Sequence, residues 1–283
     1  MALGALLAGG CGLGQEGMVL LTDPSWRASL IAATGDGFTV PDGLWWSGGR
    51  LIMADEGGSA VRVWSGKGQA TTLADARSGL RSPEDLAVDA NGNLFVTDDE
   101  AGGVRGYDRS GRPVLLARRS AAIGATEGIA LTPLGSILVG DAERHRILSI
   151  SRSGEVSVFL TGIGKPESMA FDEGGNLYIA DNEARTLYLL TPDGELHRPI
   201  ADREGFSPET LWHARGTLYI TDSENGKLHL YTPEDGLSTI AVFGGDLAQV
   251  AGITVDDEGS IYVSVQTDLK RKRGYLLRLD RQK

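Results

Sequence analysis

The stretch "SPEDLAVDANGNLFVTDD", residues 82–99, has the pattern of two short strands joined by a turn. Its two apolar runs flank the turn formers Asn91, Gly92 and Asn93, which favour a tight reversal of the chain. Glu84 directly follows a proline and precedes the first apolar run. An acid at the entrance to a strand is informative if the chain repeats it.

The chain does repeat this pattern. Five other segments share it: "VPDGLWWSGGRLIMADEG" from Val40, "ATEGIALTPLGSILVGDAE" from Ala125, "KPESMAFDEGGNLYIADNE" from Lys165, "SPETLWHARGTLYITDSE" from Ser207 and "VAGITVDDEGSIYVSVQ" from Val250. The equivalent positions, separated by 42, 43, 40, 42 and 42 residues, are Asp42, Glu84, Glu127, Glu167, Glu209 and Ala251. A period of this length indicates a propeller or a solenoid, whose units bury their faces against their neighbours.

The composition agrees with a single all-β domain. The 283 residues are 41% hydrophobic and include 40 glycines and 10 prolines, so the chain can bury a large core and has many turns. The net charge of −11 argues against binding to a phosphate backbone and favours cations or basic partners. We therefore expect no nucleic-acid partner.

Each repeat has the pattern of four strands. In the fourth repeat these are "SMAFD", "LYIAD", "TLYLLT" and "LHRPIA", with turn formers between them. Six such units predict a six-bladed β-propeller. The sixth repeat ends after three strands, so we predict that Arg27–Ala33 supplies its outer strand and closes the ring. The preceding "MVLLTDPSW", residues 18–26, also resembles a strand, and the sequence leaves its pairing open.

The first 17 residues differ from the propeller that we assign to residues 18–283. A short apolar stretch with small residues precedes Cys11, and a glycine-rich tether follows it. This resembles the end of a bacterial lipoprotein signal with Cys11 as the lipidated residue, although no Lys or Arg precedes Arg27. The prediction is an extracytoplasmic lipoprotein, periplasmic or at the cell surface; the alternative is a cytoplasmic protein with an unmodified thiol. A single cysteine excludes an intrachain disulfide.

The repeated acid has a geometric consequence in a propeller. The inner strands of all blades begin at one end of the central channel, here called the mouth, so five carboxylates should approach one another there. We call Asp42, Glu84, Glu127, Glu167 and Glu209 the mouth carboxylates. Like charges this close raise each other's pKa or require a cation. Oxygen ligands of this kind suit Ca²⁺ first, then Mg²⁺ or Mn²⁺.

A second set of acids should lie on the same side of the propeller, where the second strand of each blade ends. Asp98 and its equivalents are examples. Since an aspartate that ends a strand readily accepts hydrogen bonds from the following turn, we interpret these residues as structural.

The best-preserved repeats, "PESMAFDEGGNLYIAD" (166–181) and "PEDLAVDANGNLFVTD" (83–98), resemble the NHL-repeat and SMP-30/gluconolactonase group of propellers. The resemblance implies a divalent cation held from the first, fourth and fifth blades. By position those ligands are Asp42, Glu167 and Glu209, and Trp46 matches a tryptophan of that family. Two departures stand out: the fourth-blade ligand is usually Asn, whereas this sequence has Glu167, and the third-blade Arg and Asn that hold substrate are absent from "GATEGIAL", residues 124–131.

These residues are compatible with two functions. The first is a Ca²⁺-dependent hydrolase of lactones or related esters, in which Glu209 accepts the proton from water. Glu84, Glu127, Trp46 and His145 would then line the mouth or contact substrate, although His145 could equally lie on the surface. The second is a non-catalytic binding propeller for a small molecule, a basic peptide or a protein partner. In both cases we expect a monomer that contacts membranes only through a lipid anchor.

Overall fold

The computed structural model describes residues 18–247, 249–267 and 273–282. Within them the chain forms six antiparallel sheets, five with four strands and one with five. The first strand of each sheet contacts the first strand of the next, and the last contacts the first, so the sheets form a ring. The predicted six-bladed β-propeller is confirmed. The N-terminal tether with Cys11 lies outside the described residues.

The strands of blades 1 to 3 follow one another along the chain. Blade 1 comprises β3 (Pro41–Ser47), β4 (Arg50–Asp55), β5 (Ala60–Trp64) and β6 (Thr71–Ala74). Blade 2 comprises β7 (Pro83–Val88), β8 (Leu94–Asp98), β9 (Gly103–Tyr107) and β10 (Pro113–Arg118). Blade 3 comprises β11 (Thr126–Leu131), β12 (Ile137–Asp141), β13 (Arg146–Ile150) and β14 (Val156–Thr161).

Blades 5 and 6 also contain the two N-terminal strands, β1 (Met18–Leu21) and β2 (Trp26–Ala33). Blade 4 comprises β15 (Pro166–Phe171), β16 (Leu177–Asp181), β17 (Thr186–Leu190) and β18 (Leu196–Ile200). Blade 5 comprises β19 (Pro208–Ala214), β20 (Thr217–Asp222), β21 (Lys227–Thr232), β22 (Gly236–Gly244) and β1. Blade 6 comprises β23 (Gln249–Val255), β24 (Ile261–Gln266), β25 (Gly274–Arg281) and β2.

The turn between the first two strands of a blade explains the repeated Gly-Asn. In blade 4, Asp172 accepts hydrogen bonds from the backbone N–H of Asn176 at 2.8 Å and from its side chain at 2.7 Å. Gly175 has a φ of +82°, a conformation that favours glycine. Asp89, Gly92 and Asn93 repeat this turn in blade 2, so the motif sets where β8 and β16 begin.

The predicted closure of the ring is confirmed. β2 pairs antiparallel with β25 along almost its whole length, from Trp26 opposite Arg281 to Ala33 opposite Tyr275. The outer strand of blade 6 therefore comes from the N-terminal part of the chain. It is one residue longer at its start than we predicted.

The segment that the sequence left open is a strand as well. β1 pairs antiparallel with β22 and becomes the fifth strand of blade 5. Val19 is buried there in the same core as Phe243. Since β1 lies on blade 5 and β2 on blade 6, this part of the chain ties two neighbouring blades together.

The hydrophobic core is divided into clusters that lie largely between neighbouring blades. Between blades 1 and 2, for example, Val61 and Ala74 pack against Leu86 and Val96. Tyr107 is buried in the same cluster. Among the described residues, no helix is long and apolar enough to cross a bilayer.

The inner strands of neighbouring blades approach one another closely at Gly128, the third residue of β11. A Cβ atom on Gly128 would lie 2.4 Å from the backbone oxygen of Glu167 in the next blade. We expect Gly128→Ala to lower the free energy of unfolding by about 1–3 kcal/mol, the usual effect of overpacking. Urea unfolding followed by circular dichroism measures this loss.

The matched control is Gly244→Ala, because a Cβ atom on Gly244 meets nothing within 4 Å. Its effect should stay within about 0.5 kcal/mol, as for most substitutions without a steric conflict. Equal unfolding midpoints for the two variants would contradict the close packing of β11 against β15.

Candidate functional site at the channel mouth

In blades 1, 2 and 4 the aspartate that ends the second strand holds the entrance of the inner strand in place, as Asp55 does for Thr39 and Val40. Asp98 accepts hydrogen bonds from the backbone N–H groups of Arg81 and Ser82, just before β7, and from Ala101 in the following turn. Asp181 does the same for Gly164, Lys165 and Ala184. These carboxylates are fully buried, so our structural interpretation of this set is confirmed.

The mouth carboxylates come directly after these anchored entrances. In blade 2 the pairing of β7 with β8 changes register between Pro83 and Leu86, and corresponding irregularities occur in the other blades with an acid at this position. A bulge of this kind redirects side chains. Glu84 and its equivalents therefore enter a shared volume, and they interact electrostatically across blades.

Asp42 and Glu84 form a carboxyl–carboxylate pair. Their carboxyl groups are close enough to interact across blades 1 and 2. Burial, together with repulsion from Glu209 and Glu56, raises the pKa of Asp42 well above its usual range. Burial and the neighbouring Asp42 do the same to the pKa of Glu84. This half of the mouth therefore favours a proton or a cation over two free negative charges.

Glu209 is oriented by neutral donors. Its Oε2 atom accepts a hydrogen bond from Ser223 Oγ at 2.8 Å and one from Asn182 Nδ2 at 3.3 Å. A depression of about 270 Å³ opens beside it, between blades 5, 6 and 1. Its polar lining residues are Asp42, Glu209, Ser223, Glu224, Gln249 and Gln266. The two glutamines add neutral oxygen donors that sequence reasoning missed.

Lys165 is the residue at the mouth that sequence reasoning missed altogether. Its Nζ atom lies 2.6 Å from Glu167 Oε1 and 3.4 Å from Glu127 Oε1. Although burial opposes it, the charges of Glu167 and Glu127 raise the pKa of Lys165. Burial and repulsion from Glu209 and Glu127 outweigh the ammonium and raise the pKa of Glu167 to about 8. The unusual "KPES" entrance of blade 4 was the available signal.

The structure does not bring Trp46 and His145 to these carboxylates. Trp46 lies near the other end of β3, where it stacks on Tyr262 with ring centroids 5.1 Å apart. His145 lies in the turn after β12, on the mouth side, but its Nδ1 contacts the backbone oxygen of Gly164 at 2.6 Å and the side chain is mostly exposed. Neither residue is in the ring of acids.

The chemistry of the mouth partly fits a divalent cation. Among the described residues, Asp42, Glu84 and Glu209 have no ion pair with Lys or Arg, and their hard oxygens suit Ca²⁺. Glu127 and Glu167 fit less well because Lys165 neutralises them. No group of three or more His, Cys, Asp or Glu side chains in the described part of the chain is assembled as a metal site. To coordinate a cation, these side chains would have to move closer to one another.

These features define a six-bladed β-propeller with an acidic, lysine-bearing channel mouth. Comparison with protein-family models and with curated proteins gave no match. Solved propellers are similar in structure. A gluconolactonase from Xanthomonas campestris has a TM-score of 0.66 and 16% identity, over 99% of this chain and 98% of that one.

Two other propellers extend the comparison. A calcium-binding regucalcin from Agrobacterium tumefaciens has a TM-score of 0.66 and 15% identity, over 86% of this chain and 90% of that one. A streptogramin B lyase has a TM-score of 0.69 and 12% identity, over 91% and 98%. The fold is therefore the one that the sequence resemblance implied. Identities this low show the fold alone, since one propeller fold carries different chemistries.

Proposed function

We propose that the mouth binds a divalent cation, Ca²⁺ in the first place, and that the protein uses it to hydrolyse lactones or related esters. The observation that carries this proposal is the half-ring of Asp42, Glu84 and Glu209: the ion pairs of Lys165 go to Glu127 and Glu167, and Lys165 acts on Glu209 only at longer range. Asp42 and Glu209 are ligands that the family resemblance implies. We favour Glu84 over Glu167 as the third because Lys165 holds Glu167.

The residues at the mouth would each have a separate role in the reaction. When bound, the cation would polarise a carbonyl group and lower the pKa of a water molecule. Glu209, oriented by Ser223 and Asn182, is positioned to accept a proton. The ammonium of Lys165 supplies positive charge at the same mouth, where it would stabilise an anionic oxygen. The gluconolactonase and calcium-binding neighbours support this combination.

The test is a panel of aldonolactones and simple esters, assayed with metal-free protein and after addition of Ca²⁺, Mg²⁺ or Mn²⁺. We expect turnover that a chelator abolishes and Ca²⁺ restores. Glu209→Gln should lower kcat at least about a hundredfold, within the range for a general base. Activity that survives chelation would overturn the metal-dependent mechanism, and absence of turnover on the whole panel would overturn hydrolysis.

A non-catalytic binding propeller is the second candidate, and Lys165 favours it. Its ammonium occupies part of the ring, and the substrate-holding Arg and Asn of the third blade are missing from this sequence. In that case the mouth would bind a small molecule, a basic peptide or a protein partner. Glu167→Gln would weaken ligand binding in a protein that shows no turnover, and steady-state hydrolysis that falls with this substitution would exclude it.

Location and assembly also belong to the proposal. We place the protein outside the cytoplasm, anchored through Cys11, and expect a monomer without nucleic-acid partners. Membrane fractionation of the wild type and Cys11→Ser tests the anchor, and light scattering tests the monomer.

A further inference from the structure

A cavity of about 320 Å³ lies within the central channel, beyond the mouth. None of the mouth carboxylates lines it. Its lining includes one buried apolar side chain from each blade, two residues after the repeated acid position: Leu44, Leu86, Ile129, Met169, Leu211 and Ile253. The volume is at the lower end of the range for small-molecule sites.

The cavity is asymmetric because the inner strands differ at their next position. Trp45 of blade 1 and Trp212 of blade 5 meet edge to face across blade 6, with ring centroids 4.8 Å apart. On the other side of the channel the equivalent residues that line the cavity are Ala130 and Ala170. Two indole rings thus face two methyl groups, which leaves space for a flat apolar group.

The polar side of the cavity offers negative charge. Its only ionisable lining residues, within the described chain, are Asp85 and His213. His213 Nδ1 lies 3.3 Å from Glu173 Oε2. No Lys or Arg side chain of the described residues lines the cavity. A positively charged ligand is therefore better matched than a negatively charged one.

Both carboxylate oxygens of Asp85 accept backbone hydrogen bonds, and Oδ1 accepts the one from the N–H of Leu86 at 2.8 Å. Asp85 Oδ2 accepts a hydrogen bond from the backbone N–H of Ile129 in the next blade, at 3.2 Å. Ser168 makes the equivalent bridge to Leu211 in blade 4, at 3.1 Å, so a hydroxyl is sufficient. No Lys or Arg side chain of the described residues lines the cavity beside Asp85.

We propose that this cavity binds a small aromatic amine, with its ammonium group at Asp85 and its ring between the Trp45–Trp212 pair and the two alanines. The indole rings of Trp45 and Trp212 add aromatic contacts for the ring of such a ligand. The site is separate from the cation site proposed at the mouth. It gives the propeller a second ligand, recognised from the opposite end of the channel.

Three probes with one ring system and different charges test this site: 1-naphthylmethylamine, 1-naphthalenemethanol and 1-naphthoic acid. Calorimetry at pH 8 should show the amine binding at least about tenfold more tightly than the alcohol, a difference of about 1.4 kcal/mol, and no binding of the acid. Equal affinity for amine and alcohol would overturn the role of Asp85. Absence of binding by all three would overturn the site.

Variants distinguish the cavity from the mouth. Asp85→Ser, which reproduces the bridge of Ser168, should reduce amine affinity to that of the alcohol, and Ala170→Leu should abolish binding of both. Ala90→Leu, at an exposed turn at the same end of the ring, is the matched control and should bind normally. Asp42→Asn should also bind the amine normally. Loss of the amine in Asp42→Asn with retention in Asp85→Ser would overturn the proposal, and thermal unfolding checks that each variant is folded.

Discussion

A chain that lacks residues 1–33 should fail to form a stable propeller. Without β2, blade 6 keeps only β23, β24 and β25 and exposes the long edge of β25, which is open to pairing with other chains. The buried side chains of Trp26, Ala28 and Ala32 are lost at the same time. We expect a loss of at least about 5 kcal/mol, comparable to the whole stability of a typical domain.

The measurement is thermal unfolding by calorimetry, with light scattering to detect aggregation. The matched control lacks residues 1–24: it loses β1 but keeps β2 and therefore a closed ring. That shorter truncation should still unfold cooperatively, at a temperature lowered by the loss of Val19 from the core of blade 5. The closure mechanism is wrong if both truncated chains unfold with the same cooperative transition.

Asp42→Asn should reduce Ca²⁺ affinity at least about tenfold, because charged oxygens set the affinity of Ca²⁺ sites. Asp42 also interacts with Glu84, so the substitution removes one of the two neighbouring carboxylates. Calorimetric titration with Ca²⁺ measures the change. Glu127→Gln is the matched control: Glu127 faces Lys165 in the other half of the mouth, and its substitution should change affinity less than about threefold.

The pH dependence of Ca²⁺ binding follows from the same pair. The pKa values of Asp42 and Glu84 are raised, so at low pH both are protonated and protons compete with the cation. Affinity should therefore increase as the pH rises through these pKa values, with release of protons on binding. Titrations in buffers of different ionisation enthalpy count those protons. Affinity independent of pH, or equally weakened by Glu127→Gln, would contradict a site at Asp42.

Most of the fold could be predicted because the sequence is built from repeats. Each blade carries its own strand and turn signals, as in Asp172, Gly175 and Asn176, and these act over a few residues. Ring closure was also predictable because the sixth repeat lacked one strand. The pairing of β1 could not be predicted, since its partner β22 lies more than 200 residues away in the sequence. Neither strand carries a local sequence signal that points to the other.

The site was less predictable than the fold. The repeated acids were visible in the sequence. The contact of Lys165 with them was not predicted, because its ammonium reaches Glu127 of the preceding blade only once the ring has formed. The raised pKa values of Asp42 and Glu84 likewise depend on packing of blade 1 against blade 2. Trp46 matched a family position in sequence, yet its strand carries it away from the mouth.

The amino-acid pattern thus specifies the number of blades, the strands within them and the circle of acids, because these depend on short-range propensities repeated six times. The charge state of the mouth and the shape of the channel cavity depend on distances between blades. Glu84 illustrates the difference: its place after Pro83 is local, whereas its raised pKa arises from burial and from neighbours on other blades. Electrostatic interactions and cavities are properties of groups brought together in space, and only the folded ring brings these groups together.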